Sequence, residues 1–142
     1  MAHAAALLSH SRPLGWDARE TRFQRKLSWT FVHGANPVIH VIATVELHPG
    51  TRDRFVHELA LLEPQVTAED GCLEYGAAVD LATGLPVQAS PRPDVVIIIE
   101  KWKTLDALMA HLAAPHMKPY RERVKDYVIG TTLQVLAPVP EA

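Results

Sequence analysis

The chain has 142 residues, 48% of them hydrophobic and 21% charged, with a net charge of -2, which describes one ordinary globular domain with an extension rather than two domains. Up to position 36, Arg12, Arg19, Arg22, Arg25 and Lys26 outnumber Asp17 and Glu20, a surplus of +3 that leaves -5 for the rest, so nucleic acid is excluded as a partner on electrostatic grounds. Cys72 is the only cysteine, which excludes an intrachain disulfide and a cysteine metal cluster, and no run approaches the eighteen or so apolar residues of a membrane span.

A reducing compartment fits that cysteine usage, and Ala4 to Leu8 is too short and lacks the basic lead-in of a secretory signal. The expected location is therefore the cytoplasm, with no membrane partner. Residues 1-36 are weakly patterned and are read as an N-terminal extension, an arm that packs on a partner subunit or else a tail, such as a targeting segment or an overlong start. Asn36-Pro37 marks the entry to the domain proper, 37-142, because Pro restricts the residue before it and the pair suits a turn.

Val38 to Leu47 reads as the first strand, with Val41, Ala43, Val45 and Leu47 on one face at the two-residue period. Pro49-Gly50 ends it. Thr51 is the expected cap of a helix whose apolar face is Phe55, Leu59, Leu62 and Val66, and Pro64 is expected to kink or end that helix. Asp70-Gly71 closes the segment, and Cys72 to Asp80 forms the second strand. Leu81 to Pro93, with Gly84, Pro86, Pro91 and Pro93, is a loop, a hairpin excursion.

Val95 to Trp102 is the third strand, and Val95-Val96-Ile97-Ile98-Ile99 is continuous hydrophobe, the pattern of a strand covered on both faces. One layer of helices covers one face; a second subunit's sheet is the simplest cover for the other, so a homodimer is expected. Thr104 caps a short helix with Leu105, Leu108, Met109 and Leu112 on one side. Pro115 suits the start of another, whose apolar face is Met117, Tyr120, Val124, Tyr127 and Val128. Gly130 to Ala137 is the fourth strand. This order is the split β-α-β arrangement: an α+β, ferredoxin-like fold with a four-stranded antiparallel sheet and helices on one face.

Glu100-Lys101-Trp102, Ala110-His111-Leu112 and Pro115-His116-Met117, together with Pro49-Gly50 and Asp70-Gly71-Cys72-Leu73-Glu74-Tyr75, resemble the antibiotic biosynthesis monooxygenase family, in particular its small quinol monooxygenase members. The resemblance spans roughly residues 38 to 137. It implies a dimeric α+β barrel, two ferredoxin-like subunits packed sheet to sheet with a pocket in each. It also implies oxidation of a quinol, anthrone or similar electron-rich polyphenol by dioxygen, with no metal, flavin or other cofactor.

Alternation along the third strand puts Glu100 and Trp102 on one face, and Trp102 is expected toward the helix-side pocket. His111 lies beside the Leu108/Leu112 stripe and can border the same pocket. An imidazole suits proton abstraction from a phenol at neutral pH, and a carboxylate partner would fix its tautomer. The expected roles are His111 as general base, Glu100 as its orienter or a proton relay, His116 as a further catalytic candidate, and Trp102 as an aromatic wall, with Tyr75, Met117 and Tyr120 in the lining. No metal is expected, because the interval between His111 and His116, broken by Pro115, does not set both on one helical face.

The heme-degrading branch of the same superfamily typically carries an Asn on the pocket face of its first strand, where this chain has Ala43, which argues against heme. Two other readings remain at this point: isomerisation or degradation of a small hydroxyketone signal, and a non-catalytic stress protein that binds an aromatic ligand.

Overall fold

In a computed structural model of the chain, the described residues are 37–139; the expected arm, 1-36, lies outside them. Four strands and three helices follow in the order β1 (Ile39–Leu47), α1 (Arg52–Thr67), β2 (Cys72–Ala78), β3 (Val95–Trp102), α2 (Leu105–Leu112), α3 (Met117–Val124) and β4 (Val128–Leu136). The sheet order is β2-β3-β1-β4, and every neighbouring pair is antiparallel. This is the ferredoxin-like α+β architecture that the strand and helix periods predict.

Register follows from alternation. Val41 pairs with Glu100, Ala43 with Ile98 and Val45 with Val96, and all of these are buried on the face that the helices cover. A slip of one residue would turn this whole set to the opposite face, so the buried pattern holds the register. Phe55, Leu59, Leu62 and Val66 of α1 supply the facing layer, as their spacing predicts. The opposite face of the central strands carries Ile42, Ile97 and Ile99, none of them fully buried within the described chain.

Two local expectations are corrected and a third is narrowed. Thr51 occupies the N-cap position, but its hydroxyl donates to the His48 carbonyl at 2.7 Å and makes no capping bond. Pro64 does not end α1, which runs on to Thr67; Ala60, whose carbonyl loses its donor to the proline, is exposed, so water can satisfy it. In α2 the buried residues are Leu108 and His111, whereas Leu105 and Met109 point outward. The helix thus seats an imidazole where the apolar stripe predicted methionine and leucine.

The start of β2 is joined to the end of β3 at a tight point. Gly71 adopts a left-handed φ of 82°, its carbonyl accepts from the Lys103 amide at 2.8 Å, and a Cβ there would stand 2.6 Å from that of Ala107. Only glycine lets the turn after α1 press against α2 this closely. The loop between β2 and β3 is closed at its base by Arg92, whose guanidinium donates twice to Asp80. That pairing holds the Asp80 carboxyl down at about 2. No helix among the described residues is long and apolar enough to cross a membrane.

Candidate active site

Between the sheet and the helices lies a cavity of about 440 Å³, lined from the sheet by Ala43, Tyr75, Ile98 and Glu100 and from the helices by His111 and Tyr120, among others. That volume is in the range of small-molecule sites. Most of the wall is apolar, and the groups that bear chemistry are few, which is the pattern of a pocket that orients one ligand through a small number of polar contacts.

His111 is the best-held of these groups. Its side chain is 2% exposed, its ring stacks on Trp102 with centroids 4.7 Å apart and planes at 30°, and Tyr75 meets it edge-on at 5.8 Å. Its Nδ1 lies 3.0 and 3.2 Å from the two carboxylate oxygens of Glu69. An ionised carboxylate only accepts, so in a neutral ring the contact places the hydrogen on Nδ1 and leaves the lone pair on Nε2. His116 approaches the same carboxylate, with Nε2 2.6 Å from Glu69 Oε1.

Glu100 lines the cavity and its Oε2 accepts from the Trp102 indole Nε1 at 2.8 Å. Burial pushes the Glu100 carboxyl above its ordinary value, and the indole hydrogen bond and His111 pull the other way. Tyr75 and Tyr120 are both buried, which raises their phenols far above the usual range and keeps them as hydrogen-bond donors. Tyr120 lines the cavity, and its hydroxyl is buried with no partner among the described residues. Cys72 packs partly into the core and its thiol is likewise raised by burial, so it stays in the unreactive protonated form.

The expected residues therefore separate into two groups. Glu100, His111, Tyr75, Met117 and Tyr120 meet at one cavity. Trp102 and His116 do not line it. Trp102 is fully buried: it shares Glu100's face but stands two residues further along β3, where the His111 ring stacks on it. The carboxylate in hydrogen-bond contact with His111 is that of Glu69, whereas the bonded Glu100 oxygen accepts from the indole.

Glu69 escapes a reading by period because it sits in the bend after α1, beyond the last helical residue and outside any strand. The available signal is its place beside Asp70-Gly71, the turn that carries the chain from α1 to the edge of the site. The two histidines likewise converge without sharing a helical face, since α2 stops at Leu112 and α3 starts at Met117, and the break between them turns His116 back toward Glu69.

Comparison with known proteins adds an independent line. The sequence pattern of the family described as "Antibiotic biosynthesis monooxygenase" matches residues 38–123. "Probable quinol monooxygenase YgiN" of Escherichia coli strain K12 is 38% identical over 103 residues, 71% of this chain and 98% of that protein. Among solved structures, PA3566 of Pseudomonas aeruginosa is similar with a TM-score of 0.63 at 21% identity, covering 76% of this chain and all of that one. Rv0793 of Mycobacterium tuberculosis gives 0.60 at 25% identity, over 74% and 98% of the two chains. Both share the fold.

Proposed function

This chain belongs to the antibiotic biosynthesis monooxygenase family, and from that premise we propose that it oxidises a quinol, anthrone or similar electron-rich polyphenol with dioxygen, using no flavin and no resident metal. The observation that carries the reading is the Glu69–His111 contact at the cavity wall. It presents a lone pair on His111 Nε2 to a bound phenol, and a deprotonated phenol or anthrone is electron-rich enough to react with dioxygen directly. One oxygen atom enters the carbon skeleton, the other leaves as water, and the substrate itself supplies all the electrons.

In this reading His111 is the general base and Glu69 its positioning residue. Glu100, with its protonated form favoured by burial, returns a proton to the departing oxygen. Tyr120, whose hydroxyl is buried without a partner among the described residues, turns it to a substrate oxygen on a small shift of the ring, and Tyr75 and Met117 shape the apolar wall. Exclusion of bulk water protects the anion from reprotonation. We place the protein in the cytoplasm as a homodimer on the same footing. Ile42, Ile97 and Ile99 on the outer sheet face support a partner sheet there.

The test is isotopic. Chelator-treated, flavin-free protein is supplied with hydroquinones and anthrones under ¹⁸O₂. One labelled atom per product, formed faster than autoxidation, supports the proposal. Turnover of a hydroxyketone without oxygen uptake would move the isomerase reading ahead, and tight ligand binding without turnover would favour a binding protein.

A further inference from the structure

We propose that Glu69, His111 and His116 also form a binding site for a divalent transition-metal ion of the zinc class, and that an ion bound there switches off His111 as a base. The first half goes beyond the monooxygenase reading; the second rests on it.

The three donors already converge. His111 Nδ1 and His116 Nε2 lie 3.0 and 2.6 Å from one carboxylate oxygen, and the three donor atoms all fall within 4.8 Å of one another. Nitrogen and oxygen ligands about 2.0–2.2 Å from a common ion are themselves separated by roughly 3 to 3.5 Å. Small rotations of His116 and Glu69 therefore admit an ion between them. Two imidazoles with one carboxylate favour zinc, cobalt, nickel or copper over magnesium and calcium, which prefer oxygen ligands alone.

The donors are also held before any ion binds. His111 is clamped by its stack on Trp102. Glu69 follows a turn fixed by its own amide on the Val66 carbonyl and by the Cys72 amide on its carbonyl. Access comes from outside the cavity, because the Glu69 and His116 side chains are 14% and 20% exposed while that of His111 is sealed. An ion reaching them needs no passage through the substrate pocket, and solvent can fill its remaining positions.

The switch follows from the ring's two nitrogens. With Glu69 as its partner, His111 carries hydrogen on Nδ1 and offers a lone pair at Nε2. A neutral imidazole that binds an ion through Nδ1 carries its hydrogen on Nε2 instead. The nitrogen available to a phenol then becomes a donor, and proton abstraction stops. The same three residues thus hold the base ready or hold a metal, never both.

Untagged full-length protein, stripped with chelator and dialysed, is titrated with Co²⁺, whose visible absorption reports nitrogen and oxygen coordination. The expected result is a spectrum that saturates at one ion per chain and is displaced by Zn²⁺. Its midpoint should move at least tenfold higher in both Glu69→Gln and His116→Ala, with circular dichroism unchanged for the near-isosteric Glu69→Gln. The chain has eight histidines, so a spectrum that survives both substitutions places the ion elsewhere and overturns the site, as does the absence of saturation at millimolar Co²⁺. In oxygen uptake, Zn²⁺ should inhibit and chelator restore; a bound ion with undiminished uptake overturns the switch. The cobalt spectrum needs no substrate, so a protein that binds Co²⁺ here but oxidises no polyphenol contradicts the monooxygenase reading and supports the site.

Discussion

The Glu69 carboxylate meets Nδ1 of His111 at 3.0 Å across 42 residues of sequence. The contact selects one tautomer of a buried imidazole, so its loss should act on catalysis more than on the fold. Glu69→Gln is expected to lower kcat by about 10²-fold or more, the scale of a general base held in the wrong state. Nitrogen chemical shifts of His111 should show the tautomer shifting in the same variant. An unchanged tautomer with a lowered rate would assign Glu69 a different role.

Trp102 gives a prediction that separates support from substrate contact. Its indole is buried, stacks on His111 and donates to Glu100, yet it does not line the cavity. Trp102→Phe leaves a buried carboxylate short of a donor, which costs about 1–3 kcal/mol and is read by urea unfolding. KM should barely move. A large rise in KM with little loss of stability would return Trp102 to the substrate wall.

Glu100 links the site to the pH dependence of stability. Burial raises its folded-state value, so between the unfolded and the folded values the native state holds a proton that the unfolded state has released. Stability from this group is then greatest below the unfolded carboxylate value of about 4.3 and declines as pH rises toward the folded value. Glu100→Gln keeps an acceptor for the indole and removes the ionisation. The variant should match the parent in acid and exceed it at neutral pH, with denaturant midpoints across pH 4 to 8 as the check. A difference that does not change with pH would contradict the assignment.

Much of this architecture is legible in the sequence because it rests on burial at a fixed period. Val95 to Trp102 is the strand in both readings, and Phe55, Leu59, Leu62 and Val66 are the buried face of α1. The misses come from residues whose place is set by contacts rather than by period. Met109 fits an apolar stripe by spacing, but the Trp102 ring and Glu69 make the neighbouring face the better one for α2 to bury, and that face carries His111. Pro64 breaks a helix in isolation, whereas here three further residues stay helical because Val66 is buried beneath them. Glu69 belongs to no repeating pattern at all.

Tyr120 carries a hydroxyl that is buried without a partner among the described residues, a desolvation cost that a ligand oxygen would relieve on a small shift of the ring. Tyr120→Phe should leave the free protein as stable or more stable, by up to about 1 kcal/mol, and weaken substrate binding. Thermal unfolding with and without a bound polyphenol measures both effects. A variant that loses stability and keeps its affinity would show the hydroxyl serving the fold.

The most direct measurement is oxygen consumption by chelator-treated, flavin-free protein and by its His111→Ala variant against hydroquinones and anthrones. The account predicts uptake above the autoxidation rate for at least one substrate class, falling by about 10²-fold or more in the variant. Uptake that is fast but indifferent to His111→Ala, or that stays at the autoxidation rate for both proteins, would contradict it.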